Sequence, residues 1–269
     1  MILYKYYGYD AGKKALASRN LGFRKPKNFN DPFELSFLSN SGGPHSKQTE
    51  LKSILDQLRD TVAVLSLTRA PSNPLMWAHY GQDHSGFVIG YDVSDSFLSS
   101  EEYNLIPVSA GDVVYTSTKS PHILDPEMMR RIQNIFMSGM GELRRIRDPE
   151  TLSLARKIFL TKHASWVYEE EVRVVKVLDS LFEESAESQN DARRSHYSLT
   201  WQESPGRVIE LVPGLSIFSF QVPIREVYMG LRNPMRDTPE QLERIEGAKL
   251  YKFEMDDRSW DLKPIETRA

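Results

Sequence analysis

The chain has 269 residues, of which 40% are hydrophobic and 26% charged, and its formal net charge is -3 with a pI near 6.1. This near-neutral balance excludes a global attraction to nucleic acid or to an anionic membrane. The absence of cysteine excludes disulfides, thiolate nucleophiles and cysteine-based zinc sites. No apolar run is long enough for a membrane span and the first ten residues do not resemble a secretory signal, so we expect a cytoplasmic protein without membrane contact.

The first third of the chain predicts a mixture of strands and helices. Three runs rich in apolar and β-branched residues predict strands: 2–7, 61–68 and 86–92. A short helix is predicted from Asp10 to about Asn20. A second helix is predicted over 46–60, with Ser46 as its N-cap and apolar residues at helical spacing. Between these helices, residues 25–34 contain Asn-Asp-Pro and predict a loop.

The remainder of the chain continues the same mixture. Two Asp-Pro pairs predict the helices 125–139 and 148–166, because aspartate caps a first turn and proline suits the first helical position. Further strands are predicted over 171–178, 207–212, 224–230 and 249–255, with a helix over 238–247. The acidic, serine-rich segment 180–205 predicts a flexible insertion. Because strands outnumber helices and do not alternate strictly with them, we predict a single α+β domain over residues 1–269.

The run "VYEEEVRVV" places three acids at the start of a predicted strand. With a period of two, Glu169, Glu171 and Arg173 share one face of that strand. Two carboxylates beside an arginine can stabilise a cationic transition state, orient a hydroxyl group or act as a general base. The alternative is a solvated strand edge that carries an ordinary Glu–Arg pair.

The run "PLMWAHYGQDH" concentrates aromatic and imidazole side chains. Trp77 and Tyr80 lie three residues apart on a predicted short helix, which is typical of core packing. His79 and Tyr80 together also offer a flat, polar-tipped surface suited to a nucleobase or a nicotinamide ring. His79 and His84 are five residues apart and lack a nearby carboxylate pair, so we predict no metal site.

Four blocks of the sequence, taken in order, resemble a bacterial and phage family designated domain of unknown function 2971. The blocks are "LYKY", "FNDPFE", "LSLT…NPLMWAHYG…HSGFVIGYD" and W-x-YE-x-E-x-R, and the resemblance extends from residue 3 to about residue 230. The order of the blocks also looks like the ADP-ribosyltransferase fold. That second resemblance implies a split antiparallel β-sheet core with flanking helices and NAD as substrate.

The ADP-ribosyltransferase resemblance implies a role for each block. Lys5, with Tyr4 or Tyr6, would contact NAD from the first strand, and Ser66 and Thr68 would match the second-strand signature. Tyr80 or Trp77 would stack on nicotinamide, and His79 would bind a ribose. Glu171 would be the catalytic glutamate and Glu169 the first acid of the Glu-x-Glu pair. Arg173 or the basic N-terminal segment would hold the pyrophosphate.

The activity implied by this resemblance is transfer of ADP-ribose from NAD to a macromolecular acceptor, either protein or nucleic acid, in phage–host conflict or as a toxin. Two alternatives stay open. The same cleft would also serve an NAD glycohydrolase or another nucleotide-directed enzyme. A non-catalytic module that senses a nucleotide or binds a partner would bind its ligand without turnover.

Overall fold

The computed structural model describes residues 1–39, 41–42, 45–101, 103–119, 122–123, 125–137, 148–178, 208–242 and 245–267. The α-helices are α1 (Tyr9–Ser18), α2 (His45–Thr61), α3 (Pro74–Tyr80), α4 (Ser96–Ser99), α5 (Pro126–Met137) and α6 (Pro149–Leu160). Short 3-10 helices cover Pro26–Asn28, Phe37–Ser39, Val108–Ala110, Ala164–Glu169 and Pro239–Gln241. The segment 180–205, predicted as a flexible insertion, lies outside the described residues.

The strands are β1 (Ile2–Tyr7), β2 (Asn20–Arg24), β3 (Ser41–Gly42), β4 (Val62–Thr68), β5 (Phe87–Asp92), β6 (Val114–Thr116), β7 (His122–Ile123), β8 (Thr161–His163), β9 (Glu171–Val177), β10 (Val208–Val212), β11 (Leu215–Gln221), β12 (Ile224–Met229), β13 (Lys249–Met255) and β14 (Leu262–Glu266). One large sheet has the order β10-β11-β2-β4-β1-β5-β12-β13-β14, and β9 pairs with β4 outside this path. Its neighbouring strands are antiparallel except for β12 and β13. The predicted α+β class, with a large and mostly antiparallel sheet, is therefore confirmed.

The sheet is divided between β1 and β4. In the described residues, these two strands are paired at one position, where Tyr4 lies opposite Thr68. By contrast, β1 pairs along its whole length with β5, and β4 pairs along its whole length with β9. The two strands therefore separate beyond this pair and leave a gap in the sheet. This gap is compatible with the predicted split sheet, while the ADP-ribosyltransferase-like identity of the core stays a prediction.

Apolar clusters cover both faces of the sheet. One face packs against α1 through a cluster that includes Leu3, Leu16 and Val172. The opposite face carries two clusters, one formed with α2, α5 and α6, and the other built around Trp77 of α3. Because alternate residues of a strand point to opposite faces, Ser66, Glu171 and their same-face neighbours point to the face with two clusters. Among the described residues, no helix has the length and apolar composition that crossing a bilayer requires.

Local sequence signals account for several element boundaries. Asp148 caps α6 by accepting bonds from the backbone N–H groups of Glu150 and Thr151, which confirms the predicted Asp-Pro start. That helix was predicted to reach residue 166, but it ends at Leu160 because Thr161–His163 pairs in parallel with β6. The predicted helix over 238–247 is also wrong: its described part contains a short 3-10 turn. The strands β2, β11 and β14 and the short strands β3, β6, β7 and β8 were not predicted.

Candidate functional site

A cavity of about 400 Å³ lies between the two clusters on the same face of the sheet, next to the gap between β1 and β4. It is lined by residues of β1, β2, β4, β8, β9 and α3 and by the loop after β2. Most of the predicted site residues line it: Lys5, Tyr6, Ser66, Thr68, Tyr80, Glu169, Glu171 and Arg173. Residues from four separate segments of the chain thus converge on one concave surface of a size typical of ligand sites.

Glu169 and Glu171 both reach the cavity, but not through strand alternation as predicted. Glu169 is the last residue of the 3-10 helix Ala164–Glu169, and β9 begins only at Glu171. Glu170 between them adopts a left-handed conformation, with φ of 44°. This left-handed residue turns the chain so that the carboxylates on either side of it converge. Both glutamates are more than nine-tenths buried.

Arg173 is an internal clamp between two carboxylates. Its Nε and Nη2 donate to the two oxygens of Glu171 at 2.8 and 3.0 Å. Its Nη1 and Nη2 donate to the two oxygens of Glu34 at 2.9 and 2.6 Å, and Nη1 also donates to the carbonyl oxygen of Phe159 at 2.7 Å. These bonds occupy all the donors that a guanidinium has. The structure therefore does not support the prediction that Arg173 holds a pyrophosphate, since no donor is left for it.

Lys162 bridges the two site carboxylates, a role that was not predicted from the sequence. Its Nζ donates to Glu169 Oε2 at 2.5 Å and to Glu171 Oε2 at 3.1 Å, and it lies 3.8 Å from Glu34 Oε1. It also lies 5.0 Å from the ring centre of Trp166. Residue 162 was predicted to lie in a helix that continues to residue 166. The helix instead ends at Leu160, and strand β8 directs the Lys162 side chain into the site.

The two glutamates have opposite pKa shifts. Burial raises the pKa of Glu169, and the bonds from Lys162 and Tyr80 only partly oppose that effect. Burial also acts to raise the pKa of Glu171, but the charges of Arg173 and Lys162 outweigh it, and the resulting pKa lies below the usual range. One carboxylate is thus held ionised while its neighbour protonates more easily, an arrangement that separates the roles of two acids in one site.

The loop after β2 closes one side of the cavity. Glu34, which the sequence reading also missed, is 6% exposed and binds Arg173. Asn30 lines the cavity and donates to the Tyr80 hydroxyl at 3.3 Å. Asp31 accepts from the backbone N–H of Phe33 at 2.9 Å, which makes it a turn residue. The "FNDPFE" block therefore contributes three cavity residues, Phe29, Asn30 and Glu34, and one turn residue, Asp31. Glu34 is also the buried ion-pair partner of Arg173.

Tyr80 joins α3 to the carboxylates. Its hydroxyl donates to Glu169 Oε1 at 2.7 Å, and the pKa of Tyr80 is raised because of burial and this bond. The hydroxyl therefore stays protonated at neutral pH and donates to Glu169, while Tyr80 lines the cavity. Stacking of this ring on a ligand stays a prediction.

Trp77 and His79 do not line the cavity. Trp77 is fully buried, its Nε1 donates to the carbonyl oxygen of Pro71 at 3.0 Å, and its ring packs edge-on against Tyr6 and Phe253. It therefore performs the core-packing role rather than the predicted ring-stacking role. His79 is exposed and lies 6.2 Å from both Tyr80 and Tyr168 between ring centres, outside the cavity lining.

Two cationic side chains at the cavity have no acidic partner. Lys5 Nζ donates to the carbonyl oxygen of Ser66 at 3.2 Å, and Arg24 Nε donates to that of Asn28 at 2.8 Å. In the part of the chain that the structure describes, neither lies within 4.0 Å of a carboxylate oxygen. Burial lowers the pKa of Lys5 to about 8; the charge of Glu171 opposes this effect and that of Arg24 adds to it.

The lowered pKa of Lys5 predicts a pH dependence of stability. Between about pH 8 and about pH 10 the unfolded chain retains a lysine proton that the folded protein has lost, so stability rises with pH in this window. Over this window we expect the free energy of unfolding of the wild type to rise by ~1 kcal/mol more than that of Lys5→Met. This figure allows for the partial exposure of the Lys5 side chain to solvent. Urea titrations at several pH values measure this difference.

The matched control for this titration is Lys14→Met on the exposed side of α1. Its stability is expected to follow that of the wild type across the same pH range, because the Lys14 side chain is exposed and this variant leaves Lys5 unchanged. Parallel curves for the wild type and Lys5→Met would show that Lys5 has an ordinary pKa.

Residues 76–174 match the model of a family described as Protein of unknown function (DUF2971). The match supports the family resemblance seen in the sequence, over a shorter range than residues 3 to about 230. It includes Tyr80, Lys162, Glu169, Glu171 and Arg173, whereas Lys5 and Ser66 lie before it. The chain matches no curated protein and no solved structure.

Proposed function

We propose that this chain is an ADP-ribosyltransferase-like enzyme that transfers ADP-ribose from NAD to a macromolecular acceptor. The observation that supports the proposal best is the convergence of Glu169 and Glu171 with Lys5, Ser66 and Tyr80 in one cavity. The resemblance assigned these residues to one site from four separate sequence blocks. The gap between β1 and β4 beside the cavity adds support, because it leaves room for a ligand between strands.

The two carboxylates have distinct tasks in this proposal. Cleavage of the bond between ribose and nicotinamide builds positive charge on the ribose, as in glycoside hydrolysis. Glu171 is ionised and held by Arg173 and Lys162, so it stabilises that charge without a rearrangement. Glu169, whose pKa is raised, accepts the proton of the attacking nucleophile as the new bond to ribose forms and nicotinamide leaves.

The remaining groups of the cavity bind the rest of NAD. Lys5 and Arg24 are the cavity cations without a carboxylate partner among the described residues, so they replace Arg173 as the pyrophosphate ligands. Tyr80 presents its ring along the wall while its hydroxyl is held by Glu169, which suits stacking on nicotinamide. Lys162 acts indirectly, as the positioning residue for both glutamates.

The test is incubation of the protein with NAD labelled in its adenylate part and a whole-cell lysate. The wild type is expected to transfer label to a macromolecule and to release nicotinamide. In Glu171→Gln both rates should fall by about 100-fold or more, because a neutral amide cannot stabilise the ribosyl cation. Glu169→Gln should also lower transfer, since the amide cannot accept the proton of the nucleophile.

Asp92→Asn is the matched control, because Asp92 also pairs with an arginine, Arg225, but does not line the cavity. It should transfer label at the wild-type rate, and circular dichroism establishes that each variant is folded. Nicotinamide release without labelled acceptor would contradict transfer and identify an NAD glycohydrolase. Binding of NAD without turnover by the wild type would identify the non-catalytic alternative, and the absence of both would refute the proposal.

A further inference from the structure

One cavity residue combines the features of a reactive amine. Lys5 lies on β1 at the gap in the sheet, and its one side-chain hydrogen bond among the described residues is to the carbonyl oxygen of Ser66. In the described part of the chain it has no carboxylate within 4.0 Å. The ammonium group is therefore not held by an ion pair in this part of the chain, and Lys5 is one of the residues that line a cavity large enough for a small ligand.

The charged groups around Lys5 come from two neighbouring strands of the sheet. Glu171 on β9 favours its protonated form, and Arg24 on β2 disfavours it; burial is the larger effect and lowers the pKa to about 8. Desolvation together with a neighbouring cation is a known way to activate a lysine for attack on a carbonyl group. An amine of this kind is partly unprotonated at neutral pH, whereas an exposed lysine is almost fully protonated.

Arg24 supplies the second half of a ligand site. It lines the same cavity, and its Nε is held by the carbonyl oxygen of Asn28 at 2.8 Å. Its Nη atoms have no partner among the residues that the structure describes. A guanidinium with both terminal nitrogens available binds phosphate in a bidentate manner. A ligand that bears a phosphate would thus be anchored beside the Lys5 amine.

We propose that Lys5 forms an imine with the carbonyl group of a phosphorylated aldehyde or ketone that Arg24 holds in the cavity. The Lys5 nitrogen attacks the carbonyl carbon, a carbon–nitrogen double bond replaces the carbon–oxygen bond, and the oxygen leaves as water. No oxidant or reductant is required. This inference goes beyond ADP-ribose transfer and does not depend on it, since it concerns the chemistry of the Lys5 amine without NAD.

The test uses pyridoxal 5′-phosphate as the carbonyl probe at about pH 7, followed by borohydride, which reduces an imine to a stable secondary amine. Peptide mapping by mass spectrometry then locates the adduct. We expect Lys5 to be labelled at least tenfold faster than the exposed Lys13 and Lys14 of α1, because burial lowers the pKa of Lys5 and Arg24 holds the probe beside it. Pyridoxal without phosphate should label Lys5 about tenfold more slowly, owing to the lost bonds to Arg24.

Three variants complete the experiment. Lys5→Arg should abolish the selective adduct, and Lys14→Arg should leave it unchanged. Arg24→Gln should remove the advantage of the phosphorylated probe over pyridoxal while the chain stays folded. Equal labelling of Lys5 and the α1 lysines in the wild type would overturn the proposal, and so would equal rates for the two probes. Because no NAD is present, either result leaves the test of ADP-ribose transfer untouched.

Discussion

Replacement of Arg173 by methionine is expected to lower the free energy of unfolding by about 3–5 kcal/mol. Arg173 is 2% exposed and forms bidentate ion pairs with both Glu34 and Glu171. Methionine fills part of the same volume but leaves the two carboxylates buried with Lys162 as their nearest remaining cation. The loss of a partner for a buried charge costs far more than the pair itself contributes. Urea unfolding of both proteins measures the difference.

Arg130→Met on α5 is the matched control, because Arg130 makes an ion pair with Glu127 on the exposed surface of the helix. We expect it to change stability little, since solvent screens such pairs. Glu34→Gln in the Arg173→Met background should recover part of the loss by removing one uncompensated charge. If Arg173→Met were no less stable than Arg130→Met, Arg173 would not be the buried clamp described above.

The Trp77→Ala variant is expected to lose about 3–5 kcal/mol of stability through the cavity left in the core. The Trp77 ring is fully buried and lies 5.3 Å from Tyr6 and 5.6 Å from Phe253 between ring centres. Its removal also leaves the carbonyl oxygen of Pro71 without its donor. Thermal or urea unfolding provides the measurement.

Trp260→Ala tests the same substitution at a side chain that is 98% exposed, and we expect its stability to equal that of the wild type. The pair of variants also separates core packing from ligand stacking. If Trp77→Ala had normal stability but no longer bound NAD, the core role would be contradicted and the Trp77 ring would be a ligand-stacking residue.

Strands with strong local patterns were predictable. The runs that became β1, β4, β5 and β9 are dense in apolar and β-branched residues. The strands β1, β4 and β5 lie in the middle of the sheet, and all of β9 except its last residue is buried, so both environments favour such composition. Helix starts with Asp-Pro were predictable for the same reason, because a cap is a local interaction. The strands β2, β11 and β14 were not, since polar residues interrupt their apolar ones and β2 also contains a glycine and β14 a proline, so that they depend on their neighbours in the sheet.

The roles of Lys162 and Glu34 in the site could not be predicted from local sequence patterns. Lys162 follows an amphipathic helix, and the run "FLTKHASW" contains no glycine or proline that would predict the end of that helix. The short strand that begins at Thr161 directs the Lys162 side chain into the cavity. Glu34 ends a turn-rich loop, where an acid is usually solvated. The charge of Glu34 is compensated by Arg173, 139 positions further along the chain, and a partner at that distance leaves no local trace. Lys162 is compensated by Glu169 and Glu171, which lie close in sequence but meet it only because β8 and the turn at Glu170 bring the three side chains together.

The sequence by itself determined the α+β class, the central strands, the two Asp-Pro helix starts and several acidic and aromatic residues of the site, because these depend on composition and short-range spacing; the predicted N-cap Ser46 was wrong, since α2 begins at His45. Only the tertiary structure decided which charges are partners and which are free. All the donors of Arg173 are bonded to two carboxylates and a carbonyl oxygen, and Trp77 is packed in the core. Lys5 and Arg24 have no carboxylate partner in the described part of the chain. The physical reason is that burial and pairing depend on segments far apart in the chain.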